Sequence, residues 1–413
     1  MYIIGDEEIE AVTKVLRSGA LFRYNDRSEC ERFERRNAEW LGSAHFALTV
    51  SGTYALTAAM IGLGLGPGDE VLVPAHTYMA TATSVLTVGA IPVIVDIDET
   101  LTISPDAVES AIGPRTKAVV PVHMWGAACN MDAIMRIARR HNLLVIEDAC
   151  QGVGGGYEGR KLGAIGDAGA FSFNYFKNMT CGEGGGVATS DDKVAERVRC
   201  AIDPCHFYWQ GRQDALQPFA GNGGRASEIM GALLNVQLDR IDDMIGRMRR
   251  ERQRVLEGTQ HLGNLGLRPT PMNSPEHDCA THLMYTLPDS AVAHQFAAYV
   301  PGVVASDTGR HNYTEWDQVL HGQGAAHPAM NPFNMPANAG CRRTYARDMC
   351  AASLDILKRT VMIPMHPRHT EQEIADLIHD IALAARSALE PGAPPPQGLR
   401  LSQAVDKQKF DVA

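Results

Sequence analysis

Polar and apolar residues near the start of the chain fall at helical spacing. Asp6, Glu7 and Glu8 precede Ile9, Val12, Val15 and Leu16, and Arg17 and Gly19 follow. Acid in the first turn, base in the last and glycine just beyond suit a helix and its dipole, so the pattern predicts a helix with those four residues as its apolar stripe. From about residue 45 to 190 the pattern changes to short β-branched runs separated by helical windows such as MDAIMRIARRHN. Strands are predicted at VLVPA (71–75), IPVIVDI (91–97), KAVVPVH (117–123), LLVIED (143–148), GAFSF (169–173) and GGVATS (185–190). Most are nearly continuous apolar runs, as expected of strands covered on both faces. Strands alternating with helices predict an α/β layer fold around a mostly parallel sheet. Residues 227–259 predict one long amphipathic helix that closes this domain. Shorter elements then alternate to about residue 388. The expected organisation is a large α/β domain over 1–255, a smaller C-terminal domain over 256–390, and a flexible Pro/Gly-rich tail over 391–413. No internal repeat is present.

Composition narrows the class. The chain has 413 residues, a formal charge of −10, 45% hydrophobic and 21% charged residues. These values exclude bulk disorder and fit two globular domains. An acidic balance without a Lys/Arg-dense arm argues against a nucleic-acid partner, since such binding rests on neutralised phosphates. The N-terminus has no basic and then apolar signal, and apolar windows are too short to cross a bilayer, so a cytoplasmic protein without a membrane partner is expected. Nine cysteines with no CxxC pair read as free thiols, with no metal site. The nearest ligand cluster, Cys200, Cys205 and His206, reads as a helix end running into a loop. Arg247, Arg249, Arg250, Arg252 and Arg254 read as a solvated helix face rather than a phosphate-binding patch.

In open α/β sheets ligands bind beyond the carboxyl ends of strands. Here those ends deliver His76 and Tyr78, His123, Glu147 and Asp148 with Gln151, and Lys177, while Ser51, Gly52 and Thr53 open a helical run. Singly these are weak signals. Together they match what pyridoxal phosphate requires: a lysine for its aldehyde, a carboxylate for its pyridine nitrogen, an aromatic face for its ring and a helix N-terminus for its phosphate. Asp148 would keep the ring nitrogen protonated. Gly52, Thr53 and Ser172 would hold the phosphate. Tyr78 would lie on the ring, its alternative being core packing. Lys177 would hold the cofactor as a Schiff base and then carry a proton between substrate and cofactor carbons. The TCGEGGG loop (180–186) lacks the GK[ST] ending of a phosphate loop, and its glycines would instead let backbone pack closely around the cofactor.

At these residues the sequence resembles the DegT/DnrJ/StrS-type sugar aminotransferases. The matching stretches are SGTYAL, VPAHTYMATA, PVHMWG, IEDACQGVGG, FSFNYFKNMTCGEGGGVATSDD and GRASEIMGALLNVQLDRI, in the family's order, with DMCAASLDILKRTVMIPMHPRHTEQEI as its closing segment. The resemblance covers most of the chain. It implies fold type I, a mostly parallel seven-stranded sheet sandwiched by helices plus a smaller C-terminal α/β domain. It also implies pyridoxal phosphate, with pyridoxamine phosphate as the alternate form. Lys177 takes the Schiff-base position, Asp148 the pyridine nitrogen, Gln151 the ring hydroxyl, Tyr78 the stacking position, and Gly52, Thr53 and Ser172 the phosphate. Family members are dimers or larger, with active sites at the subunit interface and an Asn that reaches the partner's phosphate. In GNGGR (221–225), Asn222 stands one residue further from Arg225 than the usual spacing, and Tyr54 replaces a small residue after SGT.

The implied reaction moves an amino group from L-glutamate or L-glutamine to a keto or aldehyde sugar, nucleotide-linked or long-chain, or to a cyclitol, in amino-sugar or natural-product biosynthesis. SGALFRYN, residues 98–119 and VHMWG are similar to a family member that makes an 8-amino-3,8-dideoxy-octulosonate, which hints at a long-chain sugar acceptor. A cofactor-binding regulator and a sugar dehydratase are the alternatives. Lys177 argues against the second, whose members carry His there. The aromatic and His-rich stretch 311–333 reads either as an acceptor-recognition loop or as a packed Ω-loop.

Overall fold

In the computed structural model, which describes residues 2–210 and 217–401, seven strands form the central sheet in the order β1-β9-β8-β5-β4-β2-β3. They are β1 (His45–Thr49), β2 (Glu70–Pro74), β3 (Ile91–Val95), β4 (Thr116–Val119), β5 (Leu144–Asp148), β8 (Ala168–Ser172) and β9 (Gly185–Thr189), with a small hairpin of β6 (Gly156–Tyr157) and β7 (Arg160–Lys161) between β5 and β8. β2 pairs parallel with β3 and β4, β4 with β5, and β5 with β8. β9 runs antiparallel between β8 and β1, so only β9 is reversed. The carboxyl ends of the other six therefore share one edge.

Alternate residues of each strand feed two cores, as a period of two requires. Leu72, Val145 and Phe171 join Phe33, Phe46 and Leu234 on one face. Val71, Val73, Ile146 and Ala170 join Leu56, Met60 and Val85 on the other. The strand sequences tell these faces apart poorly because both are buried. Sequence reasoning also passed over β1: HFALT has no β-branched run, and it is a strand because it completes the sheet beside β9, with His45 opposite Thr189.

The smaller sheet, β10-β11-β13-β12, is built from β10 (Arg268–Pro269), β11 (His282–Thr286), β12 (Val303–Val304) and β13 (Thr360–Pro364), all pairs antiparallel. Leu283, Tyr285 and Ile363 pack there with Phe296, Leu377 and Ile381. Between β12 and β13 the chain returns to the large sheet, where Tyr313, Trp316 and Val319 are fully buried among the residues of the second face.

Three expectations need correction. The first helix forms over Asp6–Ser18, but Ile9 and Leu16 are 61% and 55% exposed, while Glu8 and Val15 are buried. Glu8 is drawn inward by the Gly5 N–H at 2.9 Å and by Arg240, which rotates the stripe. The long helix is two helices, Glu228–Leu238 and Ile241–Thr259. Arg240 leaves the helix line to reach Glu7 and Glu8, and Asp242 and Asp243 give the second helix an acidic first turn. Its arginines are not all a solvated face: Arg252 is buried against Asp278 at 2.8 Å, and Arg249 donates to the Asp278 carbonyl at 2.7 Å. In the tail, the Arg400 and Leu401 N–H groups donate to Asp380 of the helix Glu371–Leu389; residues 402–413 lie outside the described residues.

Candidate active site

The shared strand edge opens on a cavity of about 280 Å³ lined by Lys177, Gln151, Tyr78, Trp125, Arg310 and His311 among others. They arrive from five pieces of backbone. Lys177 stands five residues beyond β8, its N–H closing a turn onto Asn174 O at 3.1 Å. Gln151 follows β5, Tyr78 follows β2, and Trp125 follows β4 in a short turn (Met124–Gly126). Arg310 and His311 belong to the segment between β12 and β13.

Asp148 closes β5 and is buried. Its Oδ2 accepts the Thr81 hydroxyl at 2.7 Å and its Oδ1 the Cys150 N–H at 3.1 Å. Both donors are neutral. Burial pulls the Lys177 pKa below its usual value, and Arg310 pulls the same way, while Cys150 and Asp148 oppose them. Burial, and then Asp148, pushes the Cys150 thiol up. The imidazoles around the cavity are neutral: burial lowers His76 and His282 to about 4 and His311 to about 3.

At one end, Gly52 begins the helix Gly52–Leu63. The Ser51 hydroxyl caps it by accepting Tyr54 N–H at 3.1 Å, so the N–H groups of Gly52 and Thr53 have no partner along the helix. A Cβ on Gly52 would lie 2.6 Å from Ser172 Cβ and 3.0 Å from Cys150 Sγ. One on Gly185 would lie 2.4 Å from Ser51 C and 2.7 Å from Gly52 N. Absent side chains thus bring a helix start, a hydroxyl and the end of β8 together, a cradle suited to a phosphate.

Lys177, Gln151 and Tyr78 therefore line one cavity. Asp148 lies beside it, and Gly52, Thr53 and Ser172 gather at the helix start. Asn222 is not brought to the cavity: its side chain is exposed, and its N–H donates to Ala201 O at 2.9 Å. Tyr54 is turned away as well, its hydroxyl donating to Ala201 O and its ring packing on Gly224. His123 and Glu147 form a fully buried pair at 3.0 Å, and Glu147 also accepts the N–H groups of Gly163 at 2.9 Å and Gly166 at 2.7 Å, so both serve the scaffold. Cys200, Cys205 and His206 make no metal site; among the described residues no cluster of three such ligands exists. No helix among those residues is long and apolar enough to cross a membrane. The 311–333 stretch divides: His311 lines the cavity, and Tyr313, Trp316 and Val319 are core. Sequence reasoning missed Trp125, Arg310 and His282 as lining residues; the aromatic and His-rich composition of 311–333 pointed only to the neighbouring His311.

Comparison with known proteins completes the description. Residues 2–382 match the profile of the DegT/DnrJ/EryC1/StrS aminotransferase family. The chain belongs to this family. Among curated members it is 43% identical over 244 residues to a GDP-perosamine synthase of Caulobacter vibrioides, an alignment covering 58% of this chain and 63% of that protein. It thus spans less than two thirds of that relative's length. To the dTDP-3-amino-3,4,6-trideoxy-alpha-D-glucose transaminase of Streptomyces venezuelae it is 40% identical, over 66% of this chain and 70% of the relative. Among solved structures, S. venezuelae DesV superposes with a TM-score of 0.73 at 30% identity, covering 92% of this chain and 94% of that one. The strand-edge cavity, with its lysine, is the candidate active site of this chain.

Proposed function

We propose that the protein is a pyridoxal-phosphate-dependent aminotransferase that takes an amino group from L-glutamate or L-glutamine and gives it to a keto or aldehyde sugar. One observation carries this reading: in an aminotransferase-family chain, the half-buried Lys177 lines a cavity with Tyr78 and Gln151, flanked by buried Asp148 and by the glycine cradle at Gly52. The donor set fits the cofactor. Lys177 would hold its aldehyde, Asp148 its ring nitrogen, Tyr78 its ring face, Gln151 its ring hydroxyl, and Gly52, Thr53 and Ser172 its phosphate. When bound, the cofactor supplies the electron sink that lets a substrate carbon release its proton.

This chain's own residues supply the rest. Lys177 Nζ, with a lowered pKa, would take the proton from that carbon and pass it to the cofactor carbon. Asp148 keeps the ring nitrogen protonated. Neutral His282 and His311 with Trp125 wall off the cavity and keep bulk water from the reacting atoms. A keto sugar as acceptor agrees with the relatives, whose names place them in amino-sugar formation. We also take the chain to be a homodimer, with Ile4, Ile9, Leu16, Leu21 and Phe22, all exposed, as apolar surface for a second copy and exposed Asn222 directed to it. The experiment is borohydride reduction of the cofactor-loaded protein followed by peptide mapping. The tag is expected on Lys177 within FSFNYFKNMTCGEGG, and a tag elsewhere, or none, overturns the assignment.

A further inference from the structure

Trp125 has φ 53 and ψ 26, a left-handed backbone that a bulky side chain rarely adopts and that persists only where its surroundings over-determine it. Those surroundings are specific. Its backbone N–H donates to Gln151 Oε1 at 3.0 Å, its carbonyl accepts the Thr281 hydroxyl, and its indole Nε1–H donates to His76 Nε2 at 2.8 Å. The other nitrogen of His76, Nδ1, stands 2.8 Å from Asn312 Oδ1.

The direction of every bond in this chain is determined. Asn312 Nδ2 donates to Ser306 O at 2.8 Å and to Ala305 O at 3.3 Å, so Oδ1 is its accepting end and His76 Nδ1 carries the hydrogen. Indole nitrogen only donates, so His76 Nε2 carries the lone pair. Two independent neighbours thus select the same neutral tautomer. At the other end a backbone N–H accepts nothing, so the atom of Gln151 facing Trp125 is oxygen and its Nε2 is left as the donor on a residue that lines the cavity. Asn312 sits on the strap that carries Arg310 and His311, and the strap is stapled to the end of β2 by Thr77 N–H to His311 O at 2.9 Å and Tyr313 N–H to Ala75 O at 3.0 Å.

We propose that His76 is a positioning residue: through the directional chain Asn312–His76–Trp125–Gln151 it fixes an amide N–H donor toward the cofactor and ties that donor to the strap bearing Arg310 and His311. The inference rests on the reading of the cavity as a pyridoxal phosphate site. Trp125 is the coupling element, since it bonds to His76 through its side chain and to Gln151 through its backbone. A change at His76 therefore reaches the cofactor without touching it.

The test uses the cofactor-loaded full chain and four variants. Trp125→Phe keeps the ring and the backbone N–H but removes the indole donor; His76→Asn keeps a donor toward Asn312 but removes the acceptor for Trp125; the third combines both. Visible absorption and visible circular dichroism of the bound cofactor, and the rate of the glutamate half-reaction, are the readouts. Each single variant is expected to shift the visible bands and to slow the half-reaction about tenfold, the loss of one ordinary hydrogen bond. The double variant is expected to be no slower than the slower single, because both remove the same link. Gln151→Glu, which keeps an oxygen toward Trp125 and replaces the donor with a charged acceptor, should also shift the bands. Unshifted bands with rates within about twofold of the parent, or single effects that multiply in the double variant, overturn the proposal. If His76→Asn does not fold, Trp125→Phe decides between the same two outcomes. A parent protein that stays colourless with pyridoxal phosphate would instead remove the site reading itself, and this inference with it.

Discussion

Lys177 is the residue on which the proposed chemistry turns, and its surroundings set how it fails. It lies on a turn rather than in a strand, held by its backbone to Asn174, so its side chain is not part of the packing of β8. Lys177→Ala is expected to leave a folded protein that binds pyridoxal phosphate without a covalent link and does not turn over. Absorption after dialysis, together with the rate of the glutamate half-reaction, checks both parts; near-normal transamination would remove the assignment. Asp148 is different because its two oxygens are already used by Thr81 and Cys150. Asp148→Asn can keep the Cys150 bond through its remaining oxygen and turn its amide toward the Thr81 hydroxyl, which can accept. The fold should survive while the charge opposite the ring nitrogen is lost. The expected result is a fall in half-reaction rate of about a hundredfold or more, with little change in thermal midpoint.

At the scale of elements, the phosphate end is made by three backbones meeting where side chains are missing. β9 is paired on both sides, to β1 and to β8, and cannot move aside if Gly185 gains a methyl group. That methyl would fall 2.4 Å from backbone atoms of Ser51, at the cap of the helix Gly52–Leu63. Gly185→Ala is therefore expected to cost about 1–3 kcal/mol of stability and to weaken pyridoxal phosphate binding, read by thermal melting and by cofactor titration. Gly263→Ala, where nothing lies within 4 Å of the added carbon, is the matched control and should change neither.

The same elements show what a linear sequence can carry. The strands holding Asp148 and leading to Lys177 were legible because apolar runs ending in a polar residue are a local signal. β1 was not, since HFALT becomes a strand only against β9, more than a hundred residues away. Ile9 and Leu16 have the spacing of a core stripe, yet the pairing of Glu8 with Arg240 decides which face turns inward. Arg252 carries the same charge as its exposed neighbours and is buried because Asp278 meets it. At the site, Lys177, Asp148 and Tyr78 announce themselves by strand-end position, whereas Arg310 and His311 depend on a strap folding back onto β2, and Trp125 on the turn after β4, which spacing does not encode.

For the molecule as a whole, the cavity is walled where the two sheets and the strap meet: Thr281 and His282 come from the start of β11, His311 from the strap, and Trp125 from the end of β4. A junction closed by buried imidazoles should be acid-labile. His282 has an ordinary value of 6.5 in the unfolded chain and is lowered to about 4 by burial in the folded one. Between those values the unfolded chain binds a proton that the native state refuses, so stability rises with pH across that window and falls on acidification. From pH 7 to pH 5 the share of His282 amounts to about 2 kcal/mol, at 1.36 kcal/mol for each unit below 6.5. His76 and His311 act in the same direction. Total acid sensitivity mixes many groups, so the informative quantity is a difference between variants. His282→Gln keeps a polar side chain beside Thr281 but cannot be protonated. Urea unfolding of parent and variant at pH 7 and pH 5 should show the loss between the two pH values smaller in the variant by about 2 kcal/mol. Equal losses in the two proteins would mean that His282 is already protonated, or reaches water, in the native state, and the junction would not be the dry wall that the proposed chemistry requires.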